Sequence, residues 1–138
     1  MFRLSPALIA ARLKGVLDAA NAGAGNAAFR FYATPRPSVL GGHTDAPQAE
    51  VQLAKPCGVI NGVVLTLLPL TPGMVLANGQ PRWGELYSAG GVLLLDGHVT
   101  DMEGSGDIRI EGSATPEGDD SPMLYVGGLV YLGATALT

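Results

Sequence analysis

Charge is scarce in this chain: Asp, Glu, Lys and Arg supply 14% of its 138 residues, against about 25% in ordinary soluble domains. What charge there is leans acidic, with 8 Lys plus Arg against 12 Asp plus Glu and a net −4. The cations are scattered, so the chain has no basic field to hold phosphates, and a nucleic-acid partner is not expected. Long hydrophobic runs are also missing. The longest, Val59 to Leu70, is broken by Asn61, Gly62 and Pro69 and is too short to cross a bilayer as a helix. Met1 to Leu13 opens with Arg3 and an apolar stretch, but Pro6 and Arg12 bracket too short a core for a signal peptide. Cysteine occurs once, at Cys57, which excludes an internal disulfide framework and fits a reducing cytoplasm.

Apolar residues make up 47%, with 20 glycines and 10 prolines, a composition for short strands and turns rather than long helices. The length suits one domain, 1–138, able to hide about two-thirds of its unfolded surface. With so few charges, that domain must leave neutral or apolar area exposed, as proteins covered by partners do.

Ser5-Pro6 is a helix opening, because serine caps free N–H groups and proline suits the first turn. A helix is expected over about 6–21, with Ile9, Leu13, Val16, Leu17 and Ala20 on one stripe and Gly23 and Gly25 beyond its end. After Asn26 the period becomes two. Phe29-Arg30-Phe31-Tyr32 alternates as a half-buried strand stopped by Thr34-Pro35-Arg36-Pro37, and Ser38 to Pro47 reads as an exposed loop. Glu50 to Leu53 is a strand expected to end at Lys55-Pro56. Further runs are Val63–Leu68, Met74–Ala77, Trp83–Tyr87, Val92–Leu95, His98–Thr100, Asp107–Glu111, Met123–Val126 and Leu129–Leu132. Asn78-Gly79 and Asp96-Gly97 stand between runs as a tight turn and a turn or bulge. About eight short strands over 28–135 at this spacing predict a mainly β domain, a sandwich or barrel carrying one N-terminal amphipathic helix.

No motif carries chemistry. His43 lies in the loop with Asp45, and His98 follows Asp96-Gly97; neither has the two-histidine, one-carboxylate spacing of a jelly-roll metal site, and both read as polar loop or turn residues. Asp101, Glu103 and Asp107 alternate with glycine but lack the ligand spacing and terminal glutamate of a calcium loop. They read as an acidic turn, as do Glu117, Asp119 and Asp120. Gly23 to Ala28 follows a helix instead of a strand, the wrong order for a dinucleotide loop. Cys57, between Pro56 and Gly58, reads as an inert packing residue, and no serine has a nucleophile-elbow frame. No catalytic residue, metal or cofactor is expected. Trp83, with Tyr32, Tyr87, Tyr125 and Tyr131, reads as core or strand-end shelf, although aromatics of this kind also anchor interfaces.

The order of these features resembles a known family. Ala11-Arg12-Leu13 in the helix, Phe29-Arg30-Phe31-Tyr32 followed by Pro35-Arg36-Pro37, Trp83, and Leu94-Leu95-Asp96-Gly97-His98-Val99 together resemble the capsid cement (decoration) proteins of tailed bacteriophages over nearly the whole chain. The resemblance implies a jelly-roll-like β-sandwich on the outside of a capsid shell, made in the host bacterial cytoplasm. Its implied partners are the major capsid protein, whose capsomers it bridges, and further copies of itself as a homodimer or homotrimer. It brings no catalytic residues and no membrane partner. The expected contact residues are Ile9, Leu13, Val16 and Leu17 of the helix stripe, Val39 and Leu40 of the loop, Trp83, and Leu132 with Leu137 near the C-terminus. The rivals are a phage neck or tail ring component and a small jelly-roll enzyme or carbohydrate-binding module. A concave cleft of acids and aromatics would favour the last; a broad apolar face favours cement.

Overall fold

A computed structural model describes residues 1–138. The helix α1 runs Pro6–Asn21, where the cap and stripe put it: the Ser5 hydroxyl accepts from Leu8 N at 3.1 Å, and Pro6 occupies the first turn. Nine strands follow: β1 Ala28–Tyr32, β2 Ala49–Asn61, β3 Val64–Pro69, β4 Gly73–Met74, β5 Trp83–Tyr87, β6 Leu93–Thr100, β7 Ile108–Glu111, β8 Leu129–Leu132 and β9 Thr135–Leu137. They form one curled sheet in the order β4-β8-β7-β6-β5-β1-β2-β3-β9. Every pairing is antiparallel except β6 with β7, which is parallel. The mainly β class with a single N-terminal helix is therefore as expected, with nine strands in place of about eight.

The sheet curls far enough for its β4 end to return to β2. Val75 bridges Ala49, Leu76 N donates to Gln48 O at 2.7 Å, and Val75 N donates to Gly128 O at 2.9 Å. Residues 73–76 thus lie between β8 and β2 and close a ring. Gly73 makes this approach available, since a Cβ there would fall 2.2 Å from Glu50 O. Inside the ring stand Phe29, Phe31, Val51, Leu86, Val99, Ile108, Ile110, Leu124 and Val130, all at most 2% exposed. The second half of β2, with β3 and β9, continues as a flap under α1. The helix stripe packs there: Leu13 and Ala20 are buried, and Ile9, Val16 and Leu17 are half-buried against the same core.

Four local readings change. Pro56 does not end a strand: β2 continues through it, with a register shift between Leu53 and Gly58 that takes up the missing N–H donor. Asp96-Gly97 is no turn, because β6 runs straight through it; Gly97 lies against Asp107, where a Cβ would come within 3.0 Å. Asn78-Gly79 makes no hairpin, since Gly79 bridges distant Leu124. Met123–Val126 contributes only that bridge, whereas Thr135–Leu137 forms a strand, β9, against β3.

Candidate functional site

The chain's polar chemistry gathers on the outer face of β1 and β5. Register sets Arg30 opposite Glu85 and Tyr32 opposite Trp83, with Phe29 and Phe31 turned inward against Leu86 and Gly84. Alternation therefore sends Trp83, Glu85 and Tyr87 outward with Arg30 and Tyr32. An outward glutamate is ordinarily wet, yet Glu85 and Trp83 are both fully buried. The cover is the loop between β1 and β2. The His43 ring lies edge-on to Tyr32 and to Trp83, with centroids 4.8 Å away in each case, and Tyr32 stacks on Trp83 at 4.3 Å. The Trp83 indole donates to Thr34 O at 2.9 Å, tying the loop's start to the sheet.

Glu85 is the polar centre of this packing. Its Oε1 accepts from the Tyr87 hydroxyl at 3.1 Å and lies 3.1 Å from His43 Nε2. Because Asp45 N donates to His43 Nδ1, the neutral tautomer consistent with these bonds carries its proton on Nε2 and donates it to Glu85. Glu85 Oε2 has no partner. Burial, and then the neighbouring Glu85 carboxylate, push the Tyr32 phenol far above its ordinary value; the same two causes raise Tyr87. Beside them Arg30 stacks over Tyr87 at 4.2 Å and donates to Glu50 Oε2 at 3.0 Å. A histidine, a carboxylate and two phenols in contact could pass protons, but none of the chain's three surface cavities is lined by His43 or Glu85. The cluster opens onto none of them, and its contacts clamp the loop to the sheet.

The other candidates resolve into local structure. Asp101 Oδ1 accepts from Glu103 N and Gly104 N, and its Oδ2 accepts from Thr115 at 2.7 Å. The Thr115 hydroxyl holds the Asp101 carboxyl below its usual range, so this turn uses its own oxygens as an acidic loop does. Asp119 takes a two-pronged bond from Arg82, at 2.6 and 3.0 Å, which draws its carboxyl well below the ordinary range. His98 Nε2 lies 3.6 Å from Asp120. Cys57 is fully buried in the core, and burial raises its thiol, as an inert packing residue requires. No group of three or more His, Cys, Asp or Glu converges as a metal cage.

The expected contact residues divide. Leu13, Trp83 and Leu132 are buried within the single chain, and Ile9, Val16, Leu17 and Leu137 pack partly against its core. These seven close the domain itself: the α1 residues cover β2 and β3, Leu132 and Leu137 pack against the same core, and Trp83 lies under the His43 loop. Low charge at these positions is no sign of assembly. Val39 and Leu40 do stand exposed, at 68% and 49%.

A larger exposed apolar face lies on the opposite side of the ring. Met74 is the register partner of Leu129 across β4 and β8, and Leu76 and Tyr131 stand two residues further along the same faces. Tyr125 and Val126, in the turn before β8, extend it, and Leu70 joins through a cavity of about 120 Å³ shared with Tyr131. All seven are between 48% and 62% exposed, and none is charged. The sequence marks this face only as a continuous apolar run, Leu129 to Leu132, of which the structure buries Val130 and Leu132 and leaves Leu129 and Tyr131 outward.

No helix of the chain is long and apolar enough to cross a membrane. Comparison with protein-family models, with curated proteins and with solved structures gives no match.

Proposed function

We propose that this chain is a structural virion protein, a cement subunit that binds the exterior of a phage capsid shell and bridges capsomers of major capsid protein without catalysis. The observation that carries this reading is the apolar face of β4 and β8. Of seven neighbouring apolar side chains held at about half exposure, Met74, Leu129 and Tyr131 lie on hydrogen-bonded strands, and Leu70, Leu76, Tyr125 and Val126 flank them in the adjoining segments. The paired strands give the centre of the face fixed positions and little entropy to lose on docking. A shell presents the same surface many times, so modest area per copy sums to strong reinforcement. Few surface charges also suit a crowded lattice, where like-charged neighbours would repel over short separations.

Docking in this reading uses the β4–β8 face and the Val39–Leu40 loop rather than the helix stripe. The test is to mix purified protein with capsids lacking their decoration layer and image them. Occupancy of lattice positions between capsomers is the expected result. Bare capsids, together with tight binding to a sugar or a metal ion, would overturn the reading in favour of an enzyme or carbohydrate-binding module. A ring around a portal vertex would instead assign a neck or tail role.

A further inference from the structure

Two strand edges of the sheet are open and face one cavity. Strand β6 pairs with β5 along its length but meets β7 only at Val99 and Thr100, which leaves its edge from Leu93 to Gly97 without a strand partner. Strand β9 pairs with β3 alone. Between them lies a cavity of about 310 Å³ lined by Leu95, Asp96 and Gly97 of β6, by Asp107 and Ile108, and by residues 135–138, with Phe29 also on its wall. The lining is mixed, with Phe29, Leu95, Ile108, Ala136 and Leu137 as its apolar part and the Asp96 and Asp107 carboxylates beside them. An open edge beside such a cavity is the setting in which an extended segment adds as a strand, main-chain bonds giving affinity and alternate side chains entering the pocket.

The chain also carries a segment of matching pattern. Residues 1–5 precede α1 without regular structure, and Phe2 and Leu4 are 95% and 44% exposed. In an extended segment these two share one face and Arg3 takes the other. The β6 edge has the same division. Leu95, opposite the inward Leu86, faces the core, whereas Asp96, opposite the outward Glu85, faces away from it. Arg36 binds Asp96 Oδ1, so Oδ2 stays open to a second cation. A segment paired beside β6 thus puts Phe2 and Leu4 on the Leu95 side and Arg3 on the Asp96 side, apolar against apolar and cation against carboxylate.

We infer that residues 1–5 of a second copy of this chain add to the open edge of β6, with Phe2 and Leu4 entering the cavity and Arg3 facing Asp96. Within one chain both the arm and the groove are unfilled. Exchange between copies fills both, and because the contact is heterologous it builds closed rings of copies when the rotation closes. This self-association goes beyond the capsid reading and needs no capsid, so either can fail alone.

The test joins cross-linking to solution mass. Phe2→Cys with Ala136→Cys, which is exposed on the cavity wall, is oxidised and run without reductant; Cys57 is buried and stays silent. A ladder of covalent oligomers is expected, and light scattering is expected to give a multiple of the chain mass. Deleting residues 1–4, which leaves the Ser5 cap in place, reduces that mass to a single chain that still unfolds cooperatively and whose melting temperature no longer depends on protein concentration, and Arg3→Glu weakens association about tenfold or more. Bonds formed only within one chain, no bond at all, or an oligomer untouched by the deletion would each overturn the inference.

Discussion

Two regions break the rule of polar outside and apolar inside, in opposite directions. On the outer face of β1 and β5, Glu85 is fully buried beneath His43, Tyr32 and Tyr87; on the outer face of β4 and β8, Leu129, Met74 and Tyr131 stand in water. The first violation is answered within the chain, because His43 of the β1–β2 loop covers the carboxylate and joins Tyr87 of β5 in donating to one of its oxygens. The second has no answer within the chain. A buried polar group that finds partners reports on stability, and an apolar face that finds none reports on association. Substitutions should therefore separate the two regions: folding is lost at one, partner binding at the other.

The largest effect is expected at Trp83. Its ring stacks on Tyr32, supports His43 and anchors Thr34, so Trp83→Ala removes the loop's platform and costs about 3–5 kcal/mol in urea unfolding. Glu85→Ala comes next. It leaves the His43 and Tyr87 donors without their buried acceptor and costs about 1–3 kcal/mol. Both should also expose the 33–47 loop to protease. A variant at Glu85 as stable as the parent would mean that the carboxylate is only tolerated there, as some buried charges are.

A smaller effect follows from pH. The Tyr32 phenol, with an ordinary value of 10.0, is raised first by burial and second by Glu85. The folded state therefore holds this proton more tightly than the unfolded chain. The stabilisation is complete below the ordinary phenol value and is lost as pH rises from that value through the higher folded-state one. Urea midpoints should fall with rising alkalinity above pH 10, and Tyr32→Phe should flatten the fall. An unchanged slope in Tyr32→Phe would remove the phenol from the account. At the acid end the sign reverses for Asp119, whose lowered carboxyl stabilises above the ordinary carboxylate range and loses that effect as pH falls through its folded-state value.

How much of this was legible in the sequence depends on how local the cause is. The helix was readable because Ser5, Pro6 and the Ile9-Leu13-Val16-Leu17-Ala20 stripe act within a few turns, β1 and β7 because alternation is a neighbour-by-neighbour property, and β3, β5 and β8 because short runs rich in strand formers stand between turn formers. Strand β9 was not, since three residues carry too little pattern and its partner β3 is far along the chain. Gly97 misled because glycine serves two ends: it frees a turn, but here it leaves room for Asp107. The burial of Glu85 is not legible locally, because it depends on a loop about 40 residues away, at His43. A hint was present in Trp83, Glu85 and Tyr87 sharing a face with Tyr32, too aromatic for a surface meant for water. The helix stripe is apolar as its spacing predicts, and it meets the chain's own β2 and β3.

The smallest expected effect on folding is at Leu129, and it sharpens the comparison most. Its side chain is 48% exposed and faces Met74 across a two-residue strand pair, so Leu129→Ser forfeits little burial in the isolated chain. The expected stability change lies within about 0.5 kcal/mol. Docked against a partner, the same position would be dry and its hydroxyl unpaired, so the penalty arises on binding alone. Occupancy of undecorated capsids should then drop about tenfold or more while the urea midpoint stays put. A large loss of stability would show that Leu129 already serves the chain's own core. Undiminished occupancy would move the docking surface away from β4 and β8, leaving Val39 and Leu40 as the exposed pair to test.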